Sequence, residues 1–139
     1  MQIAFDAADP VALSQFWAEA LHYRLEDPPA GFDSWPAFLS ARGVPESQWN
    51  SASALVDPHG TGPRIFFQRV PEPKTAKNRV HIDLQSGGGA RVELGEQKVR
   101  VETEIERLVG LGAVHFETRE ELGVVWAVLR DPEGNEFCA

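Results

Sequence analysis

The sequence predicts an α+β chain made of two copies of one unit, strand–helix–strand–strand–strand. Three observations carry this expectation. "DPHGTGPRIFFQ", from Asp57, and "DPEGNEFCA", from Asp131, share an Asp-Pro-x-Gly turn. In it Asp caps locally, Pro fixes φ and Gly accepts positive φ. Strand-like runs flank both turns, with "SASALV" and "VVWAVLR" on the N-terminal side, so each reads as a hairpin. Upstream of each hairpin, apolar residues recur at helical spacing.

The elements follow in order. "QIAFD", Gln2 to Asp6, reads as the first strand. In "DPVALSQFWAEALHY" Asp9 suits the N-cap and Pro10 the first helical position. Leu13, Phe16, Trp17, Ala20 and Leu21 then share one face, which assigns Trp17 to the core. "YRLED", near Tyr23, is the next strand. The insertion "GFDSWPAFLSARGVPESQWN" holds a short helix capped by Ser34 and ended by Gly43, with Trp35 and Trp49 flanking it. After the first hairpin, "VPEPKTAKN" forms a connector stiffened by Pro71 and Pro73. Module one is therefore expected over residues 1–70, a linker over 71–78 and module two over 79–139.

The second unit opens with the strand pattern "RVHIDLQ", Arg79 to Gln85. "SGGGAR" lacks the Lys-Ser/Thr ending of a phosphate loop and reads as a flexible connection. In "EQKVRVETEIERLVGLGA", Val101, Ile105, Leu108 and Val109 form the apolar face, and Gly110 or Gly112 supplies the stop. "AVHFE", near Ala113, precedes the last hairpin. A unit of this size buries only about 60 % of its unfolded-state surface. The two modules are thus expected to pack together or against a second chain, and a homodimer is expected.

Composition narrows the partners. Thirteen basic against 21 acidic residues give a net charge of −8. Such a surface repels phosphate backbones and anionic lipid, so neither nucleic acid nor membrane is an expected partner. No apolar run approaches the roughly 20 residues that span a bilayer. "MQIAFDAADP" lacks the basic start and apolar core of a signal peptide. One cysteine forms no internal disulfide. A cytoplasmic protein with a small-molecule partner is the expectation.

Strand alternation nominates the residues that share a face. In "RVHIDLQ", Val80, Ile82 and Leu84 form an apolar side and His81, Asp83 and Gln85 a polar one. In "RIFFQRV", Ile65 and Phe67 pack inward and leave Arg64, Phe66 and Gln68 on the other side. Gln2, Ala4 and Asp6 share a side of the first strand. Glu136 and Cys138 point the same way. Trp35, Trp49 and Trp126 suit an aromatic pocket for a small apolar ligand, or plug the end of a cleft. His22, His59 and His115 read as surface residues.

Two βαβββ units joined head to tail resemble the vicinal oxygen chelate superfamily. "DAADPVALSQFWAEAL", "GVPESQWNSASALVDPHGTGPRIFFQRVPEPKTAKNRVHIDL" and "DPEGNEFC" resemble its glyoxalase-like subgroup, over nearly the whole chain. The resemblance implies two strand sets curled around a cleft with a divalent metal on its floor. Its ligands come from the first and fourth strands of each unit. Carried onto this chain, those positions are Gln2, His81, a position at or near Gln68, and Cys138. A glutamate usually fills the last of these, and here Glu136 lies two residues earlier.

The donor set is mixed. Neutral amides such as Gln2 and Gln68 are acceptable as supplements to a metal site but poor as half of one, and a thiol favours softer ions than amide oxygens do. The metal ligands to consider are His81, Gln68 and Glu136. Cys138 is either a small buried residue or a thiol in a ligand slot. Glu136 is either a salt-bridged strand residue, paired with Arg64, or a general base or substrate contact. Ligand contacts are expected from Gln2, Asp6, Arg64, Phe66 and Gln68 in module one, and from His81, Asp83, Trp126 and Cys138 in module two. The leading reading is a small organic ligand bound in the cleft without tight metal dependence, with no cofactor or a weakly bound divalent metal. The alternative is a metal-dependent lyase, isomerase or dioxygenase acting on vicinal oxygens. A structural dimerisation module is the third.

Overall fold

Asp9 starts the first helix as its chemistry predicts. Its carboxylate accepts from the Ala12 N–H at 3.0 Å, Pro10 occupies the first turn, and α1 runs Pro10–Leu21. The computed structural model describes residues 1–139 and contains two compact units, Met1–Pro73 and Lys74–Ala139.

In the first unit β1 (Gln2–Ala7), β2 (Arg24–Leu25), β3 (Ala52–Val56) and β4 (Arg64–Arg69) form one sheet in the order β1-β4-β3-β2. β1 runs parallel to β4 and the other pairs are antiparallel. The apolar stripe of α1 covers one face of this sheet. Leu13, Phe16, Trp17 and Ala20 are buried with Leu55, Ile65 and Phe67, and Leu21 lies half-buried at the rim. Phe5 joins them, its ring 5.6 Å from that of Trp17 and 5.2 Å from that of Phe67. Each such large side chain contributes about 1.5–3 kcal/mol on leaving water.

The insertion folds as α2 (Trp35–Ala41), capped by Ser34 Oγ accepting from the Ala37 N–H. A 3₁₀ turn at Glu46–Ser51 follows, which the sequence pattern does not announce. Asn50 of that turn reaches back to α1. Its amide donates to Asp9 Oδ1 at 2.8 Å, and its carbonyl oxygen accepts from the Val11 N–H at 3.0 Å.

The second unit holds α3 (Leu94–Gly110) and the antiparallel strands β5 (Val114–Glu121), β6 (Val124–Arg130) and β7 (Glu136–Cys138). Val101 and Leu108 of α3 are buried, as are Val125, Ala127 and Leu129 of β6. Val109 is 46 % exposed and not part of that face. The stretch Arg79 to Gln85 is not a full strand. It joins the sheet only at Asp83, in a parallel bridge to Cys138. The cause is the shortness of β7: Cys138 N–H donates to Ile82 O, Leu84 N–H donates to Cys138 O, and little ladder remains beyond them. Val80 consequently lies 81 % exposed instead of on an apolar face. The order is nonetheless that of the first unit, with the opening segment parallel to the last strand. Together the elements make an α+β architecture of two sheets and few helices. No helix is long and apolar enough to cross a membrane.

Both Asp-Pro-x-Gly turns are self-capped. Asp57 accepts from the N–H groups of His59, Thr61 and Gly62 and from the Thr61 hydroxyl. Asp131, buried, accepts from the N–H groups of Glu133 and Asn135 and from the Asn135 amide.

Candidate functional site

The insertion roofs the free face of the first unit's sheet. Register places Gln2 beside Arg64, Ala4 beside Phe66 and Asp6 beside Gln68, with Ala54 flanking Phe66 and Ala52 flanking Gln68. Alanines on β3 leave room, and the insertion encloses it. The resulting cavity of about 410 Å³ has Ala52, Ala54 and Phe66 in its floor and Trp35, Leu39, Val44 and Trp49 in its roof.

Both roof indoles spend their N–H on backbone. Trp35 donates to Glu26 O at 2.7 Å and Trp49 to Val44 O at 3.0 Å, so the rings face the cavity as apolar surfaces. Charge is confined to one edge. Arg64 forks onto Glu26, Nε to Oε1 at 2.8 Å and Nη2 to Oε2 at 2.6 Å, while Nη1 donates to Gln2 Oε1 at 2.6 Å. The guanidinium also sits 5.3 Å from the centroid of the Phe66 ring. The Arg64 hydrogen bonds hold the Glu26 carboxyl below its ordinary range, and Glu26 in turn raises Arg64. The pair is thus closed and neutral overall.

Gln68 donates its amide nitrogen to Asp6 Oδ1 at 2.8 Å. Glu136 is committed too, but not to Arg64. Its carboxylate accepts from Lys74 Nζ at 2.9 Å and from the Asn78 N–H at 3.0 Å. The Asn78 hydrogen bond, followed by that of Lys74, lowers its pKa to about 2 despite some burial. A carboxylate so held is a weak proton acceptor near neutrality.

The second unit instead gathers His81, Asp83 and Cys138, whose ligand atoms all lie within 4.8 Å of one another. His81 Nδ1 is 2.6 Å from Asp83 Oδ1. Burial pushes the Cys138 thiol up to about 11, helped by the charge and hydrogen bond of Asp83; Lys77 and Arg119 pull the other way. Two cavities share His81, Cys138 and Trp126 in their linings. One of about 280 Å³ extends over Gly87, Gly88 and Gly89, and one of about 510 Å³ over Lys77, Arg119 and Arg130.

Several of these residues carry no sequence signal. Glu26 is 38 positions from its partner Arg64. The Ala52 and Ala54 floor is visible only as small residues in a strand. The approach of Asp83 to Cys138 depends on a bridge between residues 55 positions apart.

A family model for the glyoxalase-like domain matches residues 2–139. The chain belongs to that family. It therefore falls within the vicinal oxygen chelate superfamily, and solved structures share the fold. A glyoxalase/bleomycin resistance protein/dioxygenase family enzyme from Burkholderia phytofirmans PsJN aligns at TM-score 0.61 and 15 % identity, covering 99 % of this chain and 93 % of that one. A variant of the fosfomycin resistance protein FosX from Listeria monocytogenes, complexed with Mn(II) and 1S,2S-dihydroxypropylphosphonic acid, aligns at 0.58 and 11 %, covering 99 % and 84 %. Lactoylglutathione lyase from Agrobacterium tumefaciens aligns at 0.53 and 12 %, covering 99 % and 89 %. No curated protein matches the sequence.

For a divalent metal, this glyoxalase-like protein offers a possible ligand triad. His81, Asp83 and Cys138 supply nitrogen, oxygen and sulfur donors in one place. Of the other ligands considered on the sequence, Gln68 donates its amide nitrogen to Asp6, and Glu136 Oε2 accepts from both Lys74 and the Asn78 N–H.

Proposed function

We propose that this glyoxalase-like protein captures a small, flat, largely apolar organic ligand in the roofed cavity of its first unit, with no metal in the contact. The cavity carries this reading. Its volume of about 410 Å³ falls in the range of small-molecule sites, roughly 300–1,000 Å³. Trp35, Trp49 and Phe66 offer aromatic surface from opposite sides. Ring stacking against such surfaces contributes about 0.5–1.5 kcal/mol per pair beyond area burial. Charged contacts are left to the Arg64–Glu26 edge, with Gln48, Ser51 and Ser53 as neutral polar lining; because that pair is closed, a neutral ligand fits it better than an anion that must displace Glu26.

The test uses N-phenyl-1-naphthylamine, a neutral aromatic fluorophore, titrated into the untagged protein. Saturable enhancement is expected, unchanged by EDTA and weakened about tenfold or more in a Trp35→Ala/Trp49→Ala double variant. That loss corresponds to at least about 1.4 kcal/mol. Equal binding in wild type and a folded double variant sinks the reading.

The second reading is a metal-dependent enzyme acting on vicinal oxygens, favoured by the His81–Asp83–Cys138 cluster. A bound divalent ion supplies Lewis-acid polarisation of a substrate oxygen. In this chain Lys77 and Arg130, on the adjoining cavity, would orient an anionic substrate group. Turnover of a vicinal dicarbonyl or diol that survives His81→Ala unchanged rules it out.

A further inference from the structure

We infer that Asn50 is a positioning residue for ligand capture: its amide clasps the start of α1 and so holds the roof shut over the cavity of the first unit. The inference rests on the capture reading proposed above. It goes further by naming a residue that sets affinity from outside the contact surface.

Chain order isolates Asn50. Gln48, Trp49, Ser51 and Ala52 around it all line the cavity, and Asn50 does not. The 3₁₀ turn Glu46–Ser51 kinks at this residue, where φ is −94° and ψ 31°, non-helical values within the turn. The side chain goes to α1 instead, across 39 to 41 positions of sequence. Its Nδ2 donates to Asp9 Oδ1 at 2.8 Å, and its Oδ1 accepts from the Val11 N–H at 3.0 Å. The same Asp9 oxygen accepts from the Ala12 N–H at 3.0 Å. Asn50 thereby serves as a second cap, pairing one of the N–H groups that a helix leaves open at its start. Both ends of the amide are used, so removing it costs both bonds at once.

The clasp refers the roof to the core. α1 is fixed on the sheet by the buried Leu13, Phe16 and Trp17. Trp49 donates to Val44 O, itself part of the roof, and the Ser51 hydroxyl donates to Gln48 O within the turn. Those bonds stiffen the roof without joining it to α1, and the Asn50 amide makes that join. An opened roof withdraws Trp49 from its place opposite Phe66, and apparent affinity then falls with the closed fraction. The partner carboxylate is held charged. The Asn50 hydrogen bond, then that of the Ala12 N–H, lowers the Asp9 carboxyl against some desolvation, with Arg69 adding charge attraction.

Hydrogen exchange on the ligand-free full chain reads the clasp, and titration with N-phenyl-1-naphthylamine reads its effect on capture. In Asn50→Ala, backbone amides of residues 44–51 should exchange about tenfold faster, as the loss of two hydrogen bonds implies, while those of β4 keep their wild-type rates. The fluorophore should bind about fivefold or more weakly. Asn50→Asp adds a readout that lost packing alone does not move. Near pH 7 its carboxylate faces that of Asp9, with Arg69 the cation acting on Asp9, and the clasp should open. Toward about pH 4 a proton shared between the two carboxyls restores one donor and one acceptor, so both ratios to wild type should return toward one. Circular dichroism checks that each variant is folded. Wild-type exchange in Asn50→Ala, faster exchange with unchanged affinity, or an Asn50→Asp defect that persists at the lower pH each overturns the inference. Binding indifferent to Trp35→Ala/Trp49→Ala sinks the capture reading itself, and this inference with it, whatever the exchange rates.

Discussion

Asp57 shows how much a single side chain does when its neighbours are N–H groups. Hydrogen bonds from the His59 and Gly62 N–H groups, then the Thr61 hydroxyl, hold its carboxyl far below the ordinary range. A depressed folded-state pKa means that the folded chain favours the anion. The resulting stability is complete above the unfolded pKa and lost as pH falls toward the folded one. Asp57→Asn is therefore expected to lower the melting temperature at pH 7. The gap between variant and wild type should narrow once pH drops below about 4. Thermal scans at pH 7, 4 and 2.5 check this, and a gap that stays constant across them refutes it. Residues of this kind were legible in the sequence wherever the partner is local: Asp9, Ser34, Asp57 and Asp131 cap groups within five positions. Glu26 and Glu136 were not, because their cations are fixed by tertiary placement. Arg64 stands 38 residues from Glu26, and Lys74 stands 62 from Glu136.

At the scale of elements, helices follow the periodicity of the sequence, while strands depend on what lies beside them. α1 occupies the span its caps and apolar stripe imply. The "RVHIDLQ" segment alternates as well as β4 does, yet it contributes one bridge, because β7 has only three residues to pair with. Alternation fixes which residues share a side and is silent about the length of the neighbour. Gln97 illustrates the converse, an uncelebrated polar residue that fastens a helix. It is 1 % exposed, its amide nitrogen donates to Val92 O and Gly123 O, and its carbonyl oxygen accepts from the Val125 N–H. Nothing in "EQKVRVETEIERL" distinguishes it from a surface glutamine. Gln97→Leu should leave those backbone groups unpaired and cost about 1–3 kcal/mol. Urea unfolding measures this, and a change below about 0.5 kcal/mol, ordinary for a surface site, contradicts it.

At the scale of the whole molecule, the duplication was the most legible feature, since a turn motif and a helix pattern each occur twice. The structural difference between the copies was the least legible. It arises from an insertion of which only the short helix and the flanking tryptophans could be read, and from donors assembled across long sequence separations. The join between the copies has a consequence of its own. Residues 71–77 are all exposed and outside regular structure, and they include Lys74 and Lys77. Limited trypsin treatment should cut there first and give two fragments of similar size. Early cleavage after Arg64 in β4 or Arg119 in β5 would be incompatible with the order described above.

The indole anchors of the roof also bear on time. Trp35 is tied to the Glu26 carbonyl, and Glu26 is itself bound to Arg64 and, through its N–H, to the Ala54 carbonyl. The aromatic walls are thus set while the chain folds, so a ligand captured as proposed would meet a finished shape. Little ordering entropy is left for the encounter. Capture should then proceed in one kinetic phase whose rate rises linearly with concentration, and relatives of one ligand should differ chiefly in how long they stay.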